Sequence, residues 1–214
     1  MVDTKQLIQE LSQQAAPVKA AQPRTWATRL IVVLLAYGGM MLWMMGLRPD
    51  LHAQLVRPMF GLEIALLAAL LFSSAVASIL AMYPDAYQKR ALLKVPYVLA
   101  AAMIAMVAFQ LFIPHDTRMV MPDEHSHSSE CAMFIAMAAM LPSALIFMLL
   151  RKGAPIAPLN AGALAVITSA TVGALTLRLS EAIDAIPHLL MWHYIPSVMF
   201  ACIGAWIGRS LLKW

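Results

Sequence analysis

Residues 59–82 read MFGLEIALLAALLFSSAVASILAM, an apolar run interrupted only by Glu63 and three serines. A helix rises about 1.5 Å per residue and needs about 20 apolar residues to cross a hydrocarbon core of about 30 Å. The stretch is long enough to span a membrane. Five further runs of the same character lie at about 28–47, 93–113, 131–150, 157–178 and 188–212. A chain of 214 residues that is 62% hydrophobic and 12% charged, with a mean hydropathy of +0.76, is too apolar for a soluble domain. The expected fold is an all-α membrane protein, a six-transmembrane helix bundle over residues 25–214 with a short cytoplasmic amphipathic helix in the polar segment 1–24.

The order of the runs lets the positive-inside rule set the orientation. With the N-terminus inside, Lys5, Lys19, Arg24, Arg29, Lys89, Arg90, Lys94, Arg151, Lys152, Arg209 and Lys213 fall on the inner side, against Arg48, Arg57, Arg118 and Arg178 outside. Both termini are therefore expected in the cytoplasm. The net charge of +4 reports this topology rather than nucleic-acid binding. The first apolar run follows a polar leader and exceeds a signal peptide's core, so it is read as an uncleaved span.

In the leader, Asp3 can cap a helix whose apolar residues Leu7, Ile8, Leu11 and Ala15 recur at helical spacing, with Pro17 as its stop. Such a helix either lies on the membrane surface or docks into a partner's groove. Within the bundle, Gly204 and Gly208 form a GxxxG pair suited to a tight intramolecular contact. Pro96, Pro142 and Pro196 fall inside runs, where each removes a backbone donor.

Residues that could carry chemistry are few. Glu63 stands about one turn inside the outer end of the second span, where a water-contacting acid is the expectation, and no charged path crosses the bundle. The methionines at 40, 41, 44, 45, 137 and 140 are read as packing, although thioethers also bind copper(I). Asp123 to Cys131, DEHSHSSEC, is the one place where acids, histidines and a cysteine crowd together. His125, His127 and Cys131 could share a soft regulatory divalent metal ion, or the run is a hydrated loop; the spacing matches no closed zinc site. Cys131 opens the fourth span, which puts its thiol near the outer surface. Cys202, deep in the sixth, is read as inert packing that cannot reach it. His193 can face the bundle near Cys131, while Trp192 and Tyr194 fit an interfacial aromatic belt.

Several stretches together resemble one family. DTKQLIQELSQQAAPV at 3–18, GLRPDL at 46–51, SSECAMFIAMAAMLPSALIFMLLRKGAPIAPLNAGALA at 128–165 and MWHY at 191–194 are similar, in this order, to NrsF-like negative regulators of extracytoplasmic-function sigma factors. The resemblance implies an integral anti-sigma factor of the bacterial inner membrane that holds its sigma factor at the cytoplasmic face and releases it on envelope, metal or redox stress. It also implies two outer-side cysteines, of which Cys131 matches the first; the second position, in LRLSEA at 177–182, holds Ser180. Sensing is then expected of Cys131 with Glu130, Glu181, Ser180 and His193. Sigma-factor binding is expected of Leu7, Ile8 and Leu11, assisted by Lys89, Arg90, Arg151 and Lys152. The rival reading is a small metal-handling or solute transporter. No nucleophile–base pair or phosphate loop supports an enzyme.

Overall fold

The computed structural model describes residues 4–14, 22–112 and 128–213. Among these residues all regular structure is helical. Six helices are long and apolar enough to cross a membrane: Pro23–Met45, Pro58–Ala81, Pro84–Phe112, Ser129–Arg151, Pro158–Ser180 and Ile186–Leu211, called spans 1 to 6. A separate helix covers Thr4–Gln14.

Local sequence explains where the spans begin. Pro23, Pro58, Pro84, Pro158 and Pro187 each sit in the first helical turn, where the missing N–H would have had no intrahelical partner. The third span opens as a 3-10 turn over Pro84–Lys89 before it becomes α-helical at Arg90. The sixth contains a π-helical turn, Leu189–Tyr194, and Pro196 follows it directly, inside the span.

Span 5 is the central element, packing against spans 1, 2, 4 and 6. Its composition allows this, because lipid gives large apolar side chains no reason to prefer one another and small residues let backbones approach. A Cβ on Gly162 would sit 2.8 Å from the Gly208 Cα, so Gly162, Gly204 and Gly208 form one close span 5 to span 6 contact. The GxxxG pair therefore has an intramolecular partner. The buried hydroxyls of span 5 return their protons to their own helix: Thr168 to the Leu164 carbonyl at 2.8 Å, Ser169 to Ala165 at 2.8 Å and Thr176 to Val172 at 2.9 Å. Ser78 and Thr168 meet at 3.1 Å between spans 2 and 5, and the Tyr37 hydroxyl donates to the Ala138 carbonyl at 3.1 Å between spans 1 and 4.

The methionines expected to fill packing gaps mostly do not. Met40, Met44, Met45, Met137 and Met140 point outward, alongside Trp43 and Trp206. An outward apolar surface is what a bundle in hydrocarbon presents, and flexible thioether chains suit it as well as they suit a core. Cys202 is also exposed on the bundle's exterior rather than packed within it.

The antiparallel spans define two ends. One carries Arg90, Arg151 and Lys152, and its loops are joined by the Ala154 N–H donating to the Met82 carbonyl at 2.8 Å. The opposite end carries the connections 46–57 and 181–185, and every buried ionisable side chain among the described residues lies there.

Candidate functional site

Span 4 brings Cys131 to this second end on its first turn, and span 5 ends at Ser180, so that Glu181 leaves the helix beside it. Span 6 returns with His188 just before the π turn and His193 on it. A π turn widens the helix by one residue, which rotates the side chains that follow. His188 and His193 consequently meet with ring centroids 5.3 Å apart.

The four side chains converge. Cys131 Sγ lies 3.4 Å from Glu181 Oε1, 3.7 Å from Oε2 and 3.5 Å from His188 Nε2. His188 Nε2 lies 4.0 Å from Glu181 Oε1, and His193 Nε2 lies 3.4 Å from Glu181 Oε2. One ligand atom from each of the four falls within 4.8 Å of all the others. Cys131, His188 and His193 are buried, and Glu181 is half-buried. The His193–Glu181 approach is close enough for an ion pair but is not aligned as a hydrogen bond, so both His193 ring nitrogens are buried without a hydrogen-bond partner. Burial by itself would raise the Glu181 pKa. The neighbouring His193, the Cys131 thiol and His188 outweigh it and hold the carboxyl below its ordinary value.

Beside this cluster lies a network of buried charge. Arg178, in the last turn of span 5, donates from Nε and Nη2 to the two oxygens of Glu63 at 2.9 and 2.8 Å. Tyr194 donates its hydroxyl to the same carboxylate. Arg178 Nη1 reaches the Ile183 carbonyl and Asp184, both at 3.1 Å. Arg48 donates to Asp184 at 3.0 and 2.8 Å and to Asp50 at 2.7 and 3.0 Å, and Gln54 joins both acids. Phe60 lies between the two guanidinium groups, 5.2 Å from that of Arg48 and 4.8 Å from that of Arg178. Hydrogen bonds from Arg48 and then Gln54 hold the Asp50 carboxyl well below the usual carboxylate range. Burial would raise Asp184, but the Arg48 hydrogen bond and the charges of Arg178 and Arg48 hold it low as well.

Several expectations change here. Glu63 is not a water-contacting acid: it is buried, held by Arg178 and Tyr194. Arg48 and Arg178 are buried rather than interfacial, each 2% exposed. Tyr194 is bonded inside the bundle instead of standing in an aromatic belt. Cys131 is 5% exposed and packed inward, not at the surface, because Glu181 of the 181–185 connection and His188 of the first turn of span 6 cover the start of span 4.

Of the residues expected to sense, Cys131, Glu181 and His193 come together. Glu130 is exposed on the same first turn of span 4. The Ser180 hydroxyl instead donates to the Thr176 carbonyl at 3.0 Å, and the acid that follows it faces Cys131. His188 was not expected; its spacing of five residues from His193 does not place two side chains on one face of a regular α-helix, and only the π turn does so. His125 and His127 lie outside the described residues. Leu7, Ile8 and Leu11 are exposed on the Thr4–Gln14 helix, and Arg90, Arg151 and Lys152 are exposed at the opposite end of the bundle from the cluster, with Lys89 half-buried there and paired with Asp85 at 3.2 Å.

Comparison with curated proteins and with solved structures finds no match. A family model described as NrsF, negative regulator of sigma F, matches residues 11–214. With nearly its whole length matched, this six-span chain belongs to the NrsF family of negative regulators of sigma F.

Proposed function

We propose that the protein is an anti-sigma factor of the bacterial inner membrane, which holds an extracytoplasmic-function sigma factor at the cytoplasmic face and releases it on an envelope, metal or redox signal. A sigma factor is the partner that the family implies. The observation that carries the docking half is the Thr4–Gln14 helix, whose Leu7, Ile8 and Leu11 are 45, 62 and 60% exposed. An amphipathic helix with an uncovered apolar row suits a partner's groove, read at positions spaced by three or four residues. The exposed Arg90, Arg151 and Lys152, on the side assigned to the cytoplasm by the positive-inside rule, extend the contact surface.

The signal half rests on the other end. Glu181 of the cluster and Asp184 of the charge network share one short connection, which follows Arg178 in the last turn of span 5, and His193 and Tyr194 are neighbours on the π turn. A change at Cys131, Glu181, His188 and His193 therefore bears directly on the links that hold spans 1, 2, 5 and 6 together. A signal shifts the bundle only if it binds its two packings with different affinity.

The test is capture of the sigma factor on the detergent-solubilised full chain. Wild type is expected to retain it, and Leu7→Asp with Leu11→Asp to lose it by more than tenfold. Equal retention by both would remove the docking role.

A further inference from the structure

We propose that Cys131, Glu181, His188 and His193 form a single binding site for a divalent ion of the zinc class. The ligand set differs from the thiol pair that the family resemblance implies, and from the His125, His127 and Cys131 grouping read in the sequence. Its consequence for sigma-factor release rests on the function proposed above; the binding itself does not.

The spacing of the donor atoms is the first ground. Bond lengths of about 2.0–2.1 Å to nitrogen or oxygen and about 2.3 Å to sulfur put the ligands of a tetrahedral ion roughly 3.3–3.8 Å apart. With Glu181 Oε1 as the carboxylate ligand, Cys131 Sγ to Glu181 Oε1 at 3.4 Å and Cys131 Sγ to His188 Nε2 at 3.5 Å fall on such edges, while His193 Nε2 stands 3.4 Å from the other oxygen, Oε2, and the four ligand atoms, all within 4.8 Å of one another, draw together on binding. His188 Nε2 to Glu181 Oε1, at 4.0 Å, needs to close only slightly.

His193 is the second and independent ground. Its ring is fully buried, and both of its nitrogens lack a hydrogen-bond partner. Burying a polar group without a hydrogen bond is costly; Glu181 Oε2 approaches Nε2 to 3.4 Å without the alignment of one, and an ion held between the two gives both a ligand bond.

Donor chemistry selects the ion. One sulfur, two imidazole nitrogens and one carboxylate suit zinc, cobalt, nickel or cadmium, and disfavour magnesium and calcium, which require oxygen. On binding, the Cys131 S–H bond breaks, its electron pair goes to the metal and its proton to water. A dication with one thiolate, one carboxylate and two neutral imidazoles sums to zero charge, which suits a site at the edge of an apolar bundle. An access route exists: a cavity of about 440 Å³ lined by Met45, Glu130, Cys131, Phe134, Ser180 and Glu181 reaches the cluster from outside.

The probe is cobalt(II), titrated into chelator-treated full-length protein in detergent and then displaced by zinc(II). We expect one cobalt per chain with a sulfur-to-cobalt charge-transfer absorption. Cys131→Ser is expected to abolish that absorption, His193→Ala to weaken cobalt binding at least tenfold, and the pair His125→Ala, His127→Ala to leave both unchanged. Absence of the thiolate absorption in wild type overturns the proposal, as does a site lost in the His125, His127 variant but kept in His193→Ala. Because the wild-type spectrum decides first, a variant that fails to fold does not rescue it. Sigma-factor capture on the same preparations separates failure of the metal site from failure of the anti-sigma function.

Discussion

Arg178 and Glu63 form a two-pronged ion pair inside the bundle, Nε to Oε1 at 2.9 Å and Nη2 to Oε2 at 2.8 Å, with side chains 3 and 4% exposed. Bidentate geometry is the arrangement in which an arginine and a carboxylate satisfy each other best. Taking Glu63 away leaves the Arg178 Nε and Nη2 donors buried without an acceptor, with only Nη1 still held by Asp184 and the Ile183 carbonyl. Glu63→Ala is therefore expected to destabilise the protein by about 3–5 kcal/mol. Replacing both, as Glu63→Leu with Arg178→Met, should cost less than the sum of the single changes. Denaturant unfolding in detergent measures the cycle, and simple additivity would mean that the two groups do not depend on each other.

The span 5 to span 6 contact makes a prediction about volume instead of charge. A side chain on Gly162 collides with the backbone of Gly204 and Gly208, while a Cβ on Gly39 meets nothing within 4 Å. Gly162→Val is expected to cost at least about 1–3 kcal/mol, since backbone cannot yield as a side chain can. Gly39→Ala should be neutral or stabilising by about 0.5–1 kcal/mol, because it only removes unfolded-state freedom from a helical position. Thermal unfolding of the two variants side by side reads the contrast.

The six spans were legible because length and apolarity alone decide whether a helix can cross a membrane, and they differ from the observed helices chiefly at the ends. Span 1 begins at Pro23 rather than 28, and span 3 gains a 3-10 turn from Pro84. The buried network was less legible. Arg178 and Arg48 look like interfacial topology markers, and their burial depends on Asp184, Asp50 and Glu63 arriving from other elements. One signal was present: Glu63 and Arg178 stand at similar depths below the same end of the bundle, and opposite charges at one depth inside lipid should pair. The cluster was half legible. Cys131, Glu181 and His193 were within reach by topology, but His188 joins only through the π turn, which sequence periodicity does not announce.

Acid should loosen the connection 46–57 and its tie to Asp184. Asp50 and Asp184 have folded pKa values below those of the unfolded chain, and the charges facing them are Arg48, Arg178 and, through Arg178, Glu63. Groups of this kind bind more protons when unfolded, so their stabilisation is fully present above the unfolded value of about 4 and is lost as pH falls through the lower folded values. Unfolding followed at pH 7, 5 and 3 is expected to show stability falling chiefly below about pH 4. The Asp184→Asn variant should be less stable at pH 7 and lose less between pH 5 and 3. An equal acid slope in that variant would assign the effect to other carboxyls.

The π turn makes the last prediction, because it presents consecutive residues to two different environments. His193 faces Glu181, while the Tyr194 hydroxyl donates to Glu63, and the two rings lie 6.4 Å apart. Tyr194→Phe keeps the ring and removes only the donor, leaving Glu63 with its two bonds from Arg178. A hydrogen bond to a charged group is worth about 1.5–3 kcal/mol, and a loss of that size is expected. His193→Ala opens space on the other side of the same turn. If the turn couples the cluster to the charge network, the double variant departs from additivity by at least about 0.5 kcal/mol, as residues sharing a backbone element do. Unfolding free energies of the two single variants and the double variant in detergent decide it. An additive cycle would mean that a change at the cluster does not reach Glu63 through this turn, and would direct attention to the Arg178–Asp184 connection instead.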